Sequence, residues 1–405
     1  MKILMLSSIF PYPPTKGRIE LRTFHLLKYL GARHEVTLVT NCLSGVGSEE
    51  VAALRELVQE LAVFPQVQSI TEHEGLLNQA KHLTTFLGQG KPPQVLSNYN
   101  PAMQEWVDKA IADREFAILT AEHSMSEIYV RPEWRRQLGT VVNIHHSLYG
   151  IRKHEVETHT GKNELANRLN LPLLRRYEES YCAKFNSIVT VTEDDRKFFK
   201  ELNPESKITV IPNGVDLNLF PKRVSNPGGQ RIVLMGAMDN SANIDSARFF
   251  SLEIFPEILH RYPEARLEIV GARPVPEVLE LAKLPNIKVT GEVKSMVEYL
   301  HWATVCVVPT LRGFGLQNKT LEAMAAGVPV VGSDRALLGL KVDGANVPWR
   351  AMRANKLEEY VYAIGRLFVE PKLREKLSAN GRTLVEKEYT WEKIGQRYEN
   401  VIQKL

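Results

Sequence analysis

Cysteine is scarce in this 405-residue chain: Cys42, Cys182 and Cys306 stand far apart, without metal-ligand or redox spacing. That excludes a disulfide framework and leaves each thiol as a small apolar residue in a reducing compartment. An excess of charge of one sign is also lacking. At a net +4, with both signs scattered through both halves, the chain lacks the field that draws a protein to nucleic acid, so no such partner is expected. No apolar run approaches the roughly 20 residues that cross a bilayer. The opening MKILMLSSIF has a short apolar stretch and no small-residue cleavage site. It reads as a first β-strand, and the expected location is cytoplasmic.

What is present is a long chain with 44% hydrophobic and 24% charged residues. That length accommodates two domains, each with its own core. Short apolar runs alternate with amphipathic helical patterns, as in parallel sheets covered by helices. In the first half, strands are expected at residues 3–7, 35–40, 116–120, 140–144, 188–191 and 208–211, with helices such as 20–30 and 48–61 between them. The stretch LNLFPKRVSNPGGQ then breaks all periodicity. A second series follows, with strands at 231–235, 266–270, 287–290, 305–308 and 329–331 and helices including 245–261 and 295–301. The expected fold is α/β: two Rossmann-like, doubly wound parallel-sheet domains facing across a cleft. The first covers 1–212 and is completed by an amphipathic C-terminal helix at 390–405; a linker covers 213–230 and the second domain 231–389. Ligands on such sheets sit beyond the carboxyl ends of the strands.

The most informative segment is VCVVPTLRGFGLQNKTLEAMAAGVPVVGS, from Val305. A buried strand ends at Pro309, a glycine-containing loop follows, and a helix starts near Gln317 and stops at Gly327. Backbone N–H groups at Leu316, Gln317, Asn318, Lys319 and Thr320 fall before the first intrahelical partners, where the helix dipole favours an anion. Gly313 and Gly315 allow a ligand close to the main chain. Lys319 adds a full charge, and Glu322, nearly one turn on, suits two hydroxyls of a ribose. A diphosphate and then a pentose fit that order. A plain connecting loop and helix is the alternative reading.

The same string resembles the donor-binding signature of the GT-B-fold retaining glycosyltransferases of family 4, closest to sugar transferases of exopolysaccharide clusters. The pattern stands here as Gly315, Gln317, Asn318, Lys319, Leu321, Glu322, Ala323, Met324 and Ala325. IPNGVDLNLF, GAMDNSANID, IVGARP and TGEV resemble successive motifs of the family, and PYPPTKGRIE resembles its glycine-rich first loop. The resemblance implies a nucleotide-sugar donor held by the second domain, and a saccharide, lipid-linked or other hydroxyl acceptor held by the first, in polysaccharide or glycoconjugate synthesis. It assigns catalytic roles to His145, Lys319 and Glu322. Donor contacts fall to Gly17, Gly236, Val293, Gly313, Phe314, Gly315, Leu316, Gln317, Asn318, Lys319, Thr320, Leu321 and Glu322. Two departures stand out. Phe314 occupies the place of the family's first glutamate, and the loop after Gly236 has Met238, Asp239 and Asn243 where the family carries Arg and Lys. Neutralising a diphosphate then falls to Lys319 and the helix start, with Arg312 nearby.

His145 and His146 follow a strand, so they are expected to point to opposite faces with only one toward the ligand; the family resemblance makes that one His145. Glu122 and His123, after another strand, are secondary candidates. With no Asp–x–Asp motif, neither metal nor other cofactor is expected. The segment 76–93 pairs apolar residues with Lys81, His82 and Lys91; it suits a core-facing helix or, alternatively, peripheral contact with the inner membrane face. Two other functions fit the scaffold: a nucleotide-sugar 2-epimerase, and a catalytically weak donor-binding subunit of a glycosylation complex. A dinucleotide oxidoreductase fits poorly, because GFGLQN lacks the third glycine of the phosphate fingerprint.

Overall fold

Ile3, Leu4, Met5 and Leu6 are apolar without alternation, the pattern of a strand covered on both faces, and all four are fully buried. They lie in β1 (Lys2–Ser7), an interior strand of a seven-stranded parallel sheet. Its other strands are β2 (Glu35–Cys42), β3 (Glu60–Pro65), β4 (Ile118–Glu122), β5 (Gly139–Ile144), β6 (Ser187–Thr190) and β7 (Ile208–Val210), in the order β3-β2-β1-β4-β5-β6-β7. A second parallel sheet holds β8 (Arg231–Met235), β9 (Arg266–Val270), β10 (Ile287–Val289), β11 (Val305–Val308), β12 (Val330–Gly332) and β13 (Met352–Arg353), ordered β10-β9-β8-β11-β12-β13. Both orders are doubly wound, with the switch between the first strand and the fourth. The computed structural model describes residues 1–42, 45–65, 88, 90–157, 164–312 and 316–405. Unit 1 comprises Met1–Pro212 with Ile394–Leu405, and unit 2 comprises Asn213–Lys393.

Several expectations need correction. The helix expected at 48–61 stops at Arg55, and Glu60–Pro65 forms β3. Leu54, Leu57, Val58 and Leu61 keep helical spacing, but four apolar residues in a row from Leu61 suit a strand equally well. The open edge of β2 decides between them, taking β3 in parallel register. The strand expected at 116–120 lies two residues later, which makes Glu122, expected beyond the strand, its buried last residue. The helix expected from residue 245 begins at Ser241, where the Asn240 side chain accepts from the Ala242 N–H at 3.1 Å. It widens into a π-turn at Phe250–Ile254 before Phe255–Arg261. Pro256 supplies the cause: its ring displaces the carbonyl a turn back, and a wider turn makes room. Strand β13 is too short for any periodicity to announce it. Residues 76–87 and 89 of the basic apolar segment lie outside the described residues. No helix among the described residues is long and apolar enough to cross a membrane.

The helix Trp391–Ile402 docks on unit 1 through its last two turns. Ile394 and Tyr398 are fully buried. Gly395 lies so close to Tyr29 that a Cβ there would stand 2.2 Å from the ring. Beneath, the Tyr398 hydroxyl donates to Glu122 Oε1 at 2.8 Å, Asn143 Nδ2 donates to Glu122 Oε2 at 2.7 Å, and Arg22 Nε donates to Asn143 Oδ1 at 3.0 Å. Burial pushes the Glu122 carboxyl above its ordinary value, against these hydrogen bonds and the nearby Arg22 charge. Such a network is stable only when complete. Tyr398→Phe removes one donor to a buried carboxyl group and is expected to destabilise unit 1 by about 1–3 kcal/mol. A urea denaturation midpoint equal to wild type would contradict that.

Candidate functional site

In unit 2 the strands β8, β9 and β10 are followed closely by Gly236, Gly271 and Gly291. Gly271 has φ +157°, and a Cβ there would stand 1.8 Å from the Gly236 carbonyl oxygen. Only glycine lets the two chains cross so closely. Gly236 itself abuts Asn243, whose amide donates to the Ala237 carbonyl at 2.9 Å. The other face of that amide, Asn243 Oδ1, accepts from Lys319 Nζ at 2.8 Å. Gly236, Asn243 and Lys319 therefore meet at the switch between β8 and β11. Val293 is half-buried just beyond Gly291, whose carbonyl accepts from the Gly271 N–H at 3.3 Å.

Lys319 belongs to the helix Asn318–Ala325, whose N-cap, Gln317, makes no side-chain capping bond. The expected row of spare N–H groups is shorter than foreseen, because the Thr320 N–H turns back to the Gln317 carbonyl at 3.0 Å. The first turn is tightened toward 3₁₀ geometry, a common way of satisfying helix ends. Gly327, at φ +75°, closes the other end: its N–H bonds the Met324 carbonyl at 3.1 Å and the Val328 N–H bonds the Ala323 carbonyl at 2.9 Å. Leu316, Gln317, Thr320 and Leu321 are buried, and the Thr320 hydroxyl donates to the Ala336 carbonyl at 2.9 Å. Their side chains hold the helix in place, leaving Lys319 and Glu322, both half-buried, as its charged face. Burial pushes the Cys306 thiol of β11 up to about 12, with Lys319 opposing and Glu322 adding, which places both charges near that strand. Asn318 Oδ1 accepts from Asn213 Nδ2 at 3.2 Å. Arg312 faces Asp245 at 3.4 Å, so part of its charge is already balanced. Gly313, Phe314 and Gly315 lie outside the described residues.

In unit 1 the corresponding switch lies between β1 and β4. Gly17 is the N-cap of the helix Arg18–Gly31, in extended conformation and without a side-chain cap. His123, His145 and His146 gather beside β4 and β5. The His123 ring stands 5.2 Å from His145 and 5.5 Å from His146. The expectation that the two adjacent histidines point to opposite faces is thus corrected: β5 ends at Ile144, so strand alternation no longer governs them. Burial pushes the His123 imidazole down to about 3, and burial with the neighbouring His123, Arg22 and His146 pushes His145 well below its ordinary value. His146 is lowered by burial and then by Arg18. All three are neutral at pH 7. The Nε2 atoms of His123 and His145 are buried with no hydrogen-bond partner among the described residues, a state that costs stability unless a ligand meets it. His123, a secondary candidate from the sequence, joins this cluster; its φ of +70°, unusual for a side-chain-bearing residue, has no signature in the sequence. Glu122, in contrast, is engaged in the network under Tyr398. Among the described residues no group of three or more His, Cys, Asp or Glu is placed to hold a metal ion.

The comparisons follow this division. A sequence profile described as Glycosyltransferase Family 4 matches residues 19–219, and one described as Glycosyl transferases group 1 matches residues 229–370. The chain belongs to the family 4, group 1 glycosyl transferases. A GDP-mannose-dependent monoacylated alpha-(1-6)-phosphatidylinositol monomannoside mannosyltransferase of Corynebacterium glutamicum is 27% identical over 235 residues, 51% of this chain and 59% of that relative. An exopolysaccharide phosphotransferase of Streptomyces coelicolor is 26% identical over 208 residues, 48% of this chain but 20% of that protein. The matches thus span less than two thirds of either relative. Among solved structures, sucrose-phosphate synthase of Thermosynechococcus elongatus aligns over 100% of this chain and 99% of its own at 16% identity and a TM-score of 0.68. Anabaena HepE in complex with UDP aligns over the whole of both chains at 15% identity and a TM-score of 0.63. At such identities the likeness concerns the fold: each unit of this family member is Rossmann-like, as in GT-B glycosyltransferases.

The turn carrying the histidines is held from below. Glu178, fully buried, accepts from the Ser147 hydroxyl at 2.5 Å and the Leu148 N–H at 2.7 Å. Burial nevertheless pushes its carboxyl up to about 7 from an ordinary 4.5. Between those values the folded chain binds more protons than the unfolded chain, so this group's contribution is complete below about pH 4.5 and declines as pH rises through about 7. Glu178→Gln is expected to abolish that decline, worth up to about 3 kcal/mol. Urea midpoints at about pH 5 and about pH 8 measure it; an unchanged wild-type slope in the variant would contradict the assignment.

Proposed function

We propose that this chain is a retaining glycosyltransferase in which unit 2 takes a nucleoside diphosphate sugar and unit 1 takes a hydroxyl acceptor, a saccharide or a lipid-linked one. The observation carrying the reading is the Lys319 ammonium held at 2.8 Å by Asn243, at an uncapped helix start, above glycine crossings at the strand ends. A diphosphate matches that arrangement in charge and in backbone access. Glu322, nearly one turn further, accepts the ribose hydroxyls, and the main chain at Val293 meets the nucleobase. The names of relatives supply the nucleotides to try first: GDP-mannose for the corynebacterial protein and UDP for the Anabaena structure.

In the proposed reaction, the bond between the sugar anomeric carbon and the diphosphate oxygen breaks. Negative charge builds on that oxygen, where Lys319 and the helix start stabilise it. The acceptor hydroxyl attacks the face that the diphosphate leaves, its oxygen bonds the anomeric carbon, and its proton passes to a diphosphate oxygen. No protein base is required. The neutral imidazoles of His123 and His145 suit sugar hydroxyls, because a buried nitrogen without a partner gains most from an uncharged donor or acceptor.

A thermal-shift screen against UDP-, GDP-, ADP-, CMP- and dTDP-sugars identifies the donor class, since a ligand of the native state raises the melting temperature. With that donor, Lys319→Ala and Glu322→Ala are each expected to lower turnover at least about tenfold. Near-wild-type rates in both variants would overturn the site. Donor consumed without an acceptor would indicate epimerisation, and donor bound but unchanged would indicate a binding subunit.

A further inference from the structure

The amino-terminal ends of the unit 2 strands, opposite Gly236, carry a second concavity. Arg231 opens β8 and Arg266 opens β9, directly paired in register. They lie roughly 16 Å along the strand from Gly236, at about 3.3 Å per residue. Arg266 and Glu268, two residues apart, share one face of β9. The helix Met296–Trp302 adds Glu298, Tyr299 and Trp302, at the spacing that brings side chains onto one helix face. These six residues line a cavity of about 380 Å³. Trp302 is 61% exposed, an indole left in water at a concave site. The Arg231 guanidinium lies 5.1 Å from its ring centroid. Neither Arg231 nor Arg266 has a carboxylate partner among the described residues, while Glu268 faces Lys288 at 3.8 Å.

We propose that this pocket binds a saccharide bearing a single acid group per repeat. An indole face packs against the C–H face of a pyranose, and the polar rim supplies what the ring's edge needs. Glu268, Glu298 and the Tyr299 hydroxyl accept from sugar hydroxyls, and the two arginines take a carboxylate. The mixture of signs argues against a nucleoside diphosphate, whose two phosphates would face two glutamates at close range. The pocket shares no residue with the Lys319 site, so it holds a glycan chain while leaving that site open.

Titration calorimetry of the full chain tests this with a glucuronate-containing tetrasaccharide, its neutral glucose-based counterpart and UDP. The acidic tetrasaccharide is expected to bind, unaffected by saturating UDP and at least about tenfold more tightly than the neutral one. Trp302→Ala and Arg266→Ala are each expected to weaken it by at least about tenfold, with unchanged melting temperature because both side chains are exposed. Absence of binding, equal affinity for the neutral saccharide, or wild-type affinity in either variant would overturn the proposal. So would competition by UDP or UDP binding that depends on Trp302.

Discussion

A lysine in the first turn of a helix is a cation placed at the positive end of the dipole, where it costs stability. Unit 2 accepts that cost at Lys319, and the neighbouring structure keeps the ammonium in position. Asn243 takes one of its hydrogen bonds at 2.8 Å, and Asn243 is itself fixed by the Ala237 carbonyl and abuts Gly236. The helix is anchored by Thr320 and Leu321 and stopped by the glycine turn at Gly327. The described neighbours of this charge are fixed by hydrogen bonds and burial, and the cation itself lies near the carboxyl ends of the strands. A local rule broken with this much support is the pattern expected of a functional position.

Unit 1 shows a different device for the same end. Here burial, rather than charge, defines the chemistry: the three imidazoles are pushed toward neutrality, and two of their nitrogens have no hydrogen-bond partner among the described residues. Glu178 holds the turn that presents them, and its own carboxyl is driven up by the same burial. Under the proposed function, the cationic place in unit 2 suits an anionic leaving group and the neutral hydrogen-bonding place in unit 1 suits uncharged hydroxyls.

Much of this fold is legible in the sequence because parallel strands covered on both faces are written as unbroken apolar runs. The runs at Ile3, Ile232 and Val305 identify β1, β8 and β11 directly. Strand β3 is not, because LAVF after a helical stretch satisfies two periods at once and only the free edge of β2 selects the strand. The segment around Lys319 is legible in residue type and order, while its tightened first turn is not, since the Thr320 to Gln317 bond is a choice of backbone geometry. The histidine cluster depends on a left-handed residue at His123 and on the chain leaving β5 at Ile144. The bond from Tyr398 to Glu122 joins residues 276 positions apart. No local pattern encodes such a pairing.

The claim underlying all of this is that binding strength at unit 2 resides in the diphosphate. Calorimetric titration at one fixed salt concentration, comparing a nucleoside, its monophosphate and its diphosphate, measures that most directly. The account predicts that the diphosphate binds at least about a hundredfold more tightly than the nucleoside. A nucleoside binding as tightly as its diphosphate would contradict it.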